Sequence, residues 1–315
     1  MLVATTWGLL DLLDGIRGVI ASNVPHFQLA SFWFVYIFYA PLVIVSPVLI
    51  YAQSSQNPQE EPTPIQDNSF LIEEAYNQED GVIQHISTFE RLTNSHDWVY
   101  TQTDEWPVRT IRHQLSVTLA ATHAGSFAGS GAGWGDTAFN YRYQLVGSGE
   151  TRIAVAPRLS VLFPTGDHRF GRGSGGMGLQ TNLPLSIQHS AHWVTHWNAG
   201  ATWIPHALDE QREGASTTAV NLGQSVVWLA KPRLNFLLET LWTSSEEVVG
   251  SHKTVRSQDL YVSPAVRWAY NLNHGLQIVP GIAAPLGIGP CAGEKGVIFY
   301  LSFEHPFGLA HSRAN

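Results

Sequence analysis

The sequence predicts an all-β protein: a closed antiparallel transmembrane β-barrel of about twelve strands behind an N-terminal hydrophobic signal segment. Three observations predict it. After residue 68 no helical period is visible, and apolar and polar residues alternate with period 2, the pattern of strands whose two faces meet different surroundings. Many of these runs are long, close to the roughly 9–11 residues a membrane-crossing strand needs. The connections alternate long and short, as in outer-membrane barrels with long outer loops and tight periplasmic turns.

Residues 1–52 form a leader. Its hydrophobic stretch, residues 32–52, carries no charge and ends on Ala52, a small residue suited to signal cleavage. The part before it is long and carries Asp11 and Asp14 against Arg17, which also fits a retained anchor helix. Residues 53–68 are polar, acidic and proline-bearing, the composition of a linker. The barrel is expected over 69–307, with 308–315 as a tail.

Within the barrel, VIQHISTFERL, WVYTQTD and RTIRHQLSVTLAA open the series with loose alternation. The clearest strands follow. Phe139, Tyr141, Tyr143 and Leu145 alternate with Ala138, Asn140, Arg142 and Gln144. Ile153, Val155, Leu159 and Val161 alternate with Arg152, Ala154, Arg158 and Ser160. Leu179, Leu183, Leu185 and Ile187 oppose Gln180, Asn182, Ser186 and Gln188. Weaker runs carry Trp193, Trp197 and Trp203, then Leu222 and Trp228, then Phe236 and Trp242, then Val266 and Trp268. HGLQIVPGIAA and KGVIFYLSF close the series. The expected long loops include TGDHRFGRGSGG, PHALDEQREGAS and SSEEVVGSHKTVRSQ; GSGE, HSA, KPR and NLNH are the short turns. Pro157, Pro184, Pro264 and Pro280 fall inside strands and each removes a ladder donor, so bulges or strand ends are expected there.

Composition narrows the function. Only 13% of the 315 residues are charged and the net charge is -8, with no Lys/Arg run, which argues against a nucleic-acid partner. The one cysteine, Cys291, leaves no intrachain disulfide and no cysteine-based metal site. Trp98, Trp134, Trp193, Trp203, Trp242 and Trp268 lie near strand ends, where aromatic girdles meet the membrane interface.

SFLIEEAYNQEDGVIQHI, GAGWGDTAFNYRYQLV, LSVLFPTGD and NLPLSIQ together resemble the outer-membrane family named for the MetA pathway of phenol degradation. The resemblance runs over most of the chain from about residue 69. It implies an outer-membrane barrel that serves as a channel or transporter, and it brings no catalytic residue and no cofactor. The strand EKGVIFYL is similar to the barrel assembly signal at Glu294, Gly296, Phe299 and Leu301, although the chain continues past it. Outer-membrane lipid, small solutes and the barrel assembly machinery are the partners so implied.

Several motifs invite other chemistry. Gly171, Gly173 and Gly176 match G-x-G-x-x-G, but a dinucleotide fingerprint opens a helix, and the residues from Met177 alternate like a strand. His189, His192 and His196 are spaced H-x2-H-x3-H. On a strand, His192 and His196 stand about 13 Å apart, too far to share one ion, so no metal site is expected. A lipid-hydrolase reading lacks an HxSNG-like string, and Asp136, His113 and Ser116 combine poorly because Ser116 faces away from His113. No enzyme is expected.

The polar face is the candidate site. Arg112, Arg142, Arg152, Arg158, Glu239 and Arg267 are expected to face the lumen. Two readings stand: a cation-rich pore that favours anions and aromatic acids, or arginines paired with Asp136, Glu239 and the acidic N-terminal segment, since buried charges are tolerated when paired. The expected function is an outer-membrane pore for small solutes, aromatic compounds included. The alternatives are a structural or adhesive barrel, and an outer-membrane lipid hydrolase.

Overall fold

Alternating residues in long runs form strands, and here the runs pair in sequence order until the last meets the first. The computed structural model describes residues 65, 67–125, 131–272 and 276–306. Twelve antiparallel staves make the wall. They are β1 (Val82–Leu92), β2 (Trp98–Val108), β3 (Thr110–His123) and β4 (Gly133–Trp134 with Thr137–Tyr143). Next come β5 (Ile153–Val155 with Arg158–Phe163), β6 (Gly178–Asn182 with Leu185–Gln188), β7 (Trp193–Leu208) and β8 (Gly214–Lys231). The last four are β9 (Leu234–Gly250), β10 (Lys253–Trp268 with Tyr270–Asn271), β11 (Gln277–Ala283 with Leu286–Gly287) and β12 (Gly296–Pro306). β12 pairs with β1 in unbroken register from Val82↔Pro306 to Leu92↔Gly296, which closes the barrel. Closure removes free sheet edges, the condition for a sheet to span lipid.

The register turns one set of side chains out and the other in. Phe139, Tyr141, Ile153, Leu159, Trp193, Trp197, Trp203, Leu222, Trp228, Phe236 and Leu238 are exposed on the outside. Asn140, Arg142, Ser160, Asn182, Ser186, His196, Asn198, Ser225, Glu239, Ser263 and Arg267 are buried within. This is an inverted protein, apolar outside and polar inside, as a bilayer requires. Near the rim where β1 begins and β12 ends, Trp193, Trp228 and Phe236 stack in a row, with ring centroids 6.2 and 5.5 Å apart.

The prolines act in two ways. Pro157 and Pro184 interrupt β5 and β6, as expected of residues without a ladder N–H. Pro264 and Pro280 stay inside strands, contrary to expectation. The interruptions fall on their neighbours instead: pairing beside Pro264 lapses at Ala284 and Pro285 of β11, and beside Pro280 at Ala269 of β10.

Two expected long loops are not loops. PHALDEQREGAS shrinks to a five-residue turn between Leu208 and Gly214, and SSEEVVGSHKTVRSQ to the two residues between Gly250 and Lys253. β7 to β10 therefore run 16 to 18 residues and extend beyond a membrane-spanning length. The leader 1–52, the linker up to residue 64 and the tail 308–315 lie outside the described residues.

Candidate functional site: a chain segment hooped inside the barrel

Residues 67–80 enter no strand. They run inside the barrel, and Asp67, Ser69, Ile72, Glu74, Ala75, Asn77 and Gln78 are buried there. A backbone buried without a ladder must find other partners. Here the wall's inward side chains supply them one after another.

The circuit starts where β12 meets β1. The Asp67 carboxylate accepts from Tyr300 and Ser302 of β12 and from Gln84 of β1. Arg267 of β10 donates to the carbonyls of Asp67 and Asn68. Phe70 packs edge-on to Tyr300, centroids 5.3 Å apart. Ser69 donates to Ser225 of β8 at 2.9 Å. Glu239 of β9 accepts the amides of Leu71 and Ile72 at 2.9 and 3.2 Å. Asn198 of β7 accepts the amide of Glu73 and donates back to its carbonyl. Ser186 of β6 accepts the amide of Ala75, and Gln144 of β4 accepts that of Asn77. Gln114 of β3 accepts the amide of Gln78 at 2.7 Å. The Gln78 side chain then returns to Gln84, the residue that also holds Asp67. The segment is a hoop whose two ends meet on one glutamine of β1.

The wall is shaped for it. Gly223 of β8 lies directly under Ile72, and a Cβ there would overlap the Ile72 Cδ1. Tyr76 meets His196 edge-on, and His196 in turn bonds Ser186 at 2.7 Å.

The six candidate lumen residues divide into two groups. Arg142 is buried and donates to Asn77 Oδ1 at 2.9 Å and to the carbonyls of Glu74 and Tyr76, while its guanidinium sits 3.6 Å from Glu105 of β2. Arg158 pairs with Glu73 of the hoop at 2.7 Å. Arg267 and Glu239 hold the hoop as described. Arg112 and Arg152 are exposed, beside turns at the rim where β1 begins. Among the described residues no arginine pairs with Asp136. It accepts from the Gly166 amide and from the amide and hydroxyl of Ser174.

Those last bonds fix the glycine-rich loop. His168–Phe170 form one 3-10 turn closed by Gly171 at φ 65°, and a strand, not a helix, starts at Gly178. Arg172 lies over the Phe170 ring, 4.8 Å from its centroid. Hydrogen bonds from Arg169 hold the Asp167 carboxyl well below the usual carboxylate range, at about 2. The loop leans on β7 through Ser174 O to the Leu208 amide and His168 to the Asp209 carbonyl. His189 and His192 stay at the exposed turn, apart from buried His196.

No family model and no curated protein matches the chain. Among solved structures, it is similar to the COG4313 outer membrane channel from Pseudomonas putida F1, with a TM-score of 0.56 at 12% identity over 74% of this chain and 98% of that one. The fold is that of an outer-membrane β-barrel. The NanC porin gives a TM-score of 0.46 at 10% identity, over 71% of this barrel's chain and 100% of its own. The KdgM porin gives 0.45 at 8% identity, over 71% and 99%.

The hoop is what reading the sequence alone missed. Its 67–80 stretch has no period, because its amides bond side chains and not a ladder. The signal lay in the wall: Gln114, Gln144, Ser186, Asn198, Ser225 and Glu239 all face inward, and buried polar groups need partners.

Proposed function

We propose that the protein sits in the outer membrane and conducts small solutes through a lumen that the hoop narrows. One observation carries this reading. The hoop is fastened by side-chain hydrogen bonds to a wall that is already complete, so it can loosen without unzipping a strand. A net worth of about 1 kcal/mol per bond makes such loosening stepwise. Arg142, Arg158, Arg267 and Glu239 are its anchors in this reading. Their charges are matched by Glu105, Glu73 and hoop backbone, which supports a lumen of weak ion selectivity over an anion-selective one. The sequence resemblance to the phenol-degradation family supports aromatic compounds among the solutes. The apolar belt meets lipid, and the β12 signal residues meet the assembly machinery. Ser186 and His196 are in contact, but the Ala75 amide occupies the serine oxygen, so we read the site as a passage and not an enzyme.

A second reading, a barrel that conducts nothing, is favoured by the same hoop if it never yields. Liposome swelling separates the two. Native barrel is expected to admit small neutral solutes slowly and Arg142→Ala barrel to admit them faster; folded barrel of both kinds that admits none overturns the channel.

A further inference from the structure

The wall is uneven at the rim where β1 ends. β10 rises to Lys253, whereas its neighbour β11 stops at Gly287, opposite Tyr261. Above that point β10 pairs with β9 alone, in unbroken register from Thr254. In an antiparallel ladder, alternate residues turn their N–H and C=O to opposite neighbours. The even-numbered residues of β10 turn theirs towards β11: the Pro264 and Leu260 carbonyls accept the amides of Ala284 and Ile288 at 3.0 and 2.8 Å. Thr254, Arg256 and Gln258 share that parity, and among the described residues nothing meets their N–H or C=O on that side. The stretch is a free sheet edge on the part of β10 that extends beyond the lipid belt. No proline or bulge between Thr254 and Gln258 blunts it.

The foot of this edge opens into a cavity of about 430 Å³. Asp259 and Tyr261 of β10 line one side, with Leu92, Asp97, Cys291 and Glu294 among the residues opposite. Three carboxylates line the cavity and no cation does. Two of them hold loops in place: Asp97 accepts the Gly125 amide at 2.6 Å, and Glu294 accepts the amides of Asn94 and Ser95 at 2.8 and 3.1 Å. Asp259 is half-buried and has no hydrogen-bond donor among the described residues.

We infer that residues 254–259 dock an extended segment of another polypeptide, which adds to β10 as a strand and places a basic side chain in the cavity. Unpaired N–H and C=O groups on every second residue are what an added strand satisfies. An antiparallel strand continues the line of β11, so it starts beside Asp259 and carries its basic residue at the N-terminal end. The carboxylates select the sign of that residue's charge. Val255 and Ser257, both exposed on the lumen side of the edge, meet its alternate side chains. A second copy of this chain does not fit. Pairing two such edges antiparallel needs a two-fold axis perpendicular to the wall, which would turn one barrel upside down in the membrane.

The test uses full-length barrel folded in detergent and a fluorescein-labelled peptide of alternating valine and threonine with arginine at its N-terminal end, followed by anisotropy. Saturable binding is expected. Methylating the peptide nitrogens that face β10 should abolish it, and methylating those on the peptide's other edge should not. Glutamate in place of the peptide's arginine, or Asp259→Asn in the barrel, should weaken it several-fold. Gln258→Pro removes an edge N–H that β9 does not use; it should also weaken binding while the barrel keeps its faster gel mobility before heating. A folded native barrel that ignores the peptide, binds both methylated forms alike, or binds undiminished as Gln258→Pro would overturn the inference. So would amides of Thr254, Arg256 and Gln258 that resist hydrogen exchange without peptide, which would mean the edge is already covered. A dimer in light scattering that Gln258→Pro disperses would assign the edge to a second copy and overturn it as well.

Discussion

Arg142 holds three residues of the hoop at once. It meets Asn77, Glu74 and Tyr76 and faces Glu105. Arg142→Ala leaves the buried Glu105 carboxylate without its ion-pair partner and the carbonyls of Glu74 and Tyr76 without this donor. Losing one partner of a buried ion pair costs about 3–5 kcal/mol. The expected result is a lower unfolding midpoint in denaturant together with a larger conductance; Arg142→Lys, which keeps charge but not the fork, should fall between. Gly223→Leu attacks from the other side. Its side chain needs the space of Ile72, so conductance should rise while the wall's β-sheet circular dichroism stays unchanged. A variant that folds with native conductance would show that Ile72 is not held there. At this scale the sequence was readable by parity: alternation placed Arg142, Arg158, Glu239 and Arg267 on the polar face. It could not tell that Arg112 and Arg152 stand beside turns, because the last residues of a strand keep the alternation while losing the enclosure.

Among elements, the hoop and the tall β7–β10 staves carry the predictions. Ser69 and Ser225 have their hydroxyl oxygens 2.9 Å apart. Replacing both with cysteine, with Cys291→Ser to remove the native thiol, should give a disulfide that fixes hoop to wall. Oxidised barrel should conduct less than reduced barrel; equal conductance with the disulfide formed would remove hoop movement from the account. The β9–β10 turn at Ser251 and His252 should stand clear of the membrane on the outer side. Ser251→Cys, again with Cys291→Ser, should react in intact cells with a maleimide that cannot cross the outer membrane, and labelling only after permeabilisation would invert the topology. These tall staves explain a misread loop. Beyond the bilayer both faces of a strand meet water, so residues 243–257 carry serine and glutamate on both sides and lose the period that marks a strand. The twelve strands themselves were legible because lipid on one face and polar lumen on the other enforce strict alternation. The hoop was not, because its order comes from partners distant in sequence, and its first residues, Asp67 and Asn68, fall in the stretch that reads as a linker.

At the scale of the whole molecule, the barrel separates two tasks. The wall is held by continuous ladders and an apolar belt, and β1 and β12 close it through their own backbone pairing. The lumen is set by a segment that touches β1, every stave from β3 to β10, and β12, yet adds no strand. Removing that segment should therefore open the pore without dissolving the wall. The most direct measurement is single-channel conductance in planar bilayers, comparing native barrel with one lacking residues 67–78, each first shown folded by its faster gel mobility before heating. The account predicts a several-fold larger conductance for the shortened barrel. A shortened barrel that folds and conducts no more than the native one would contradict it.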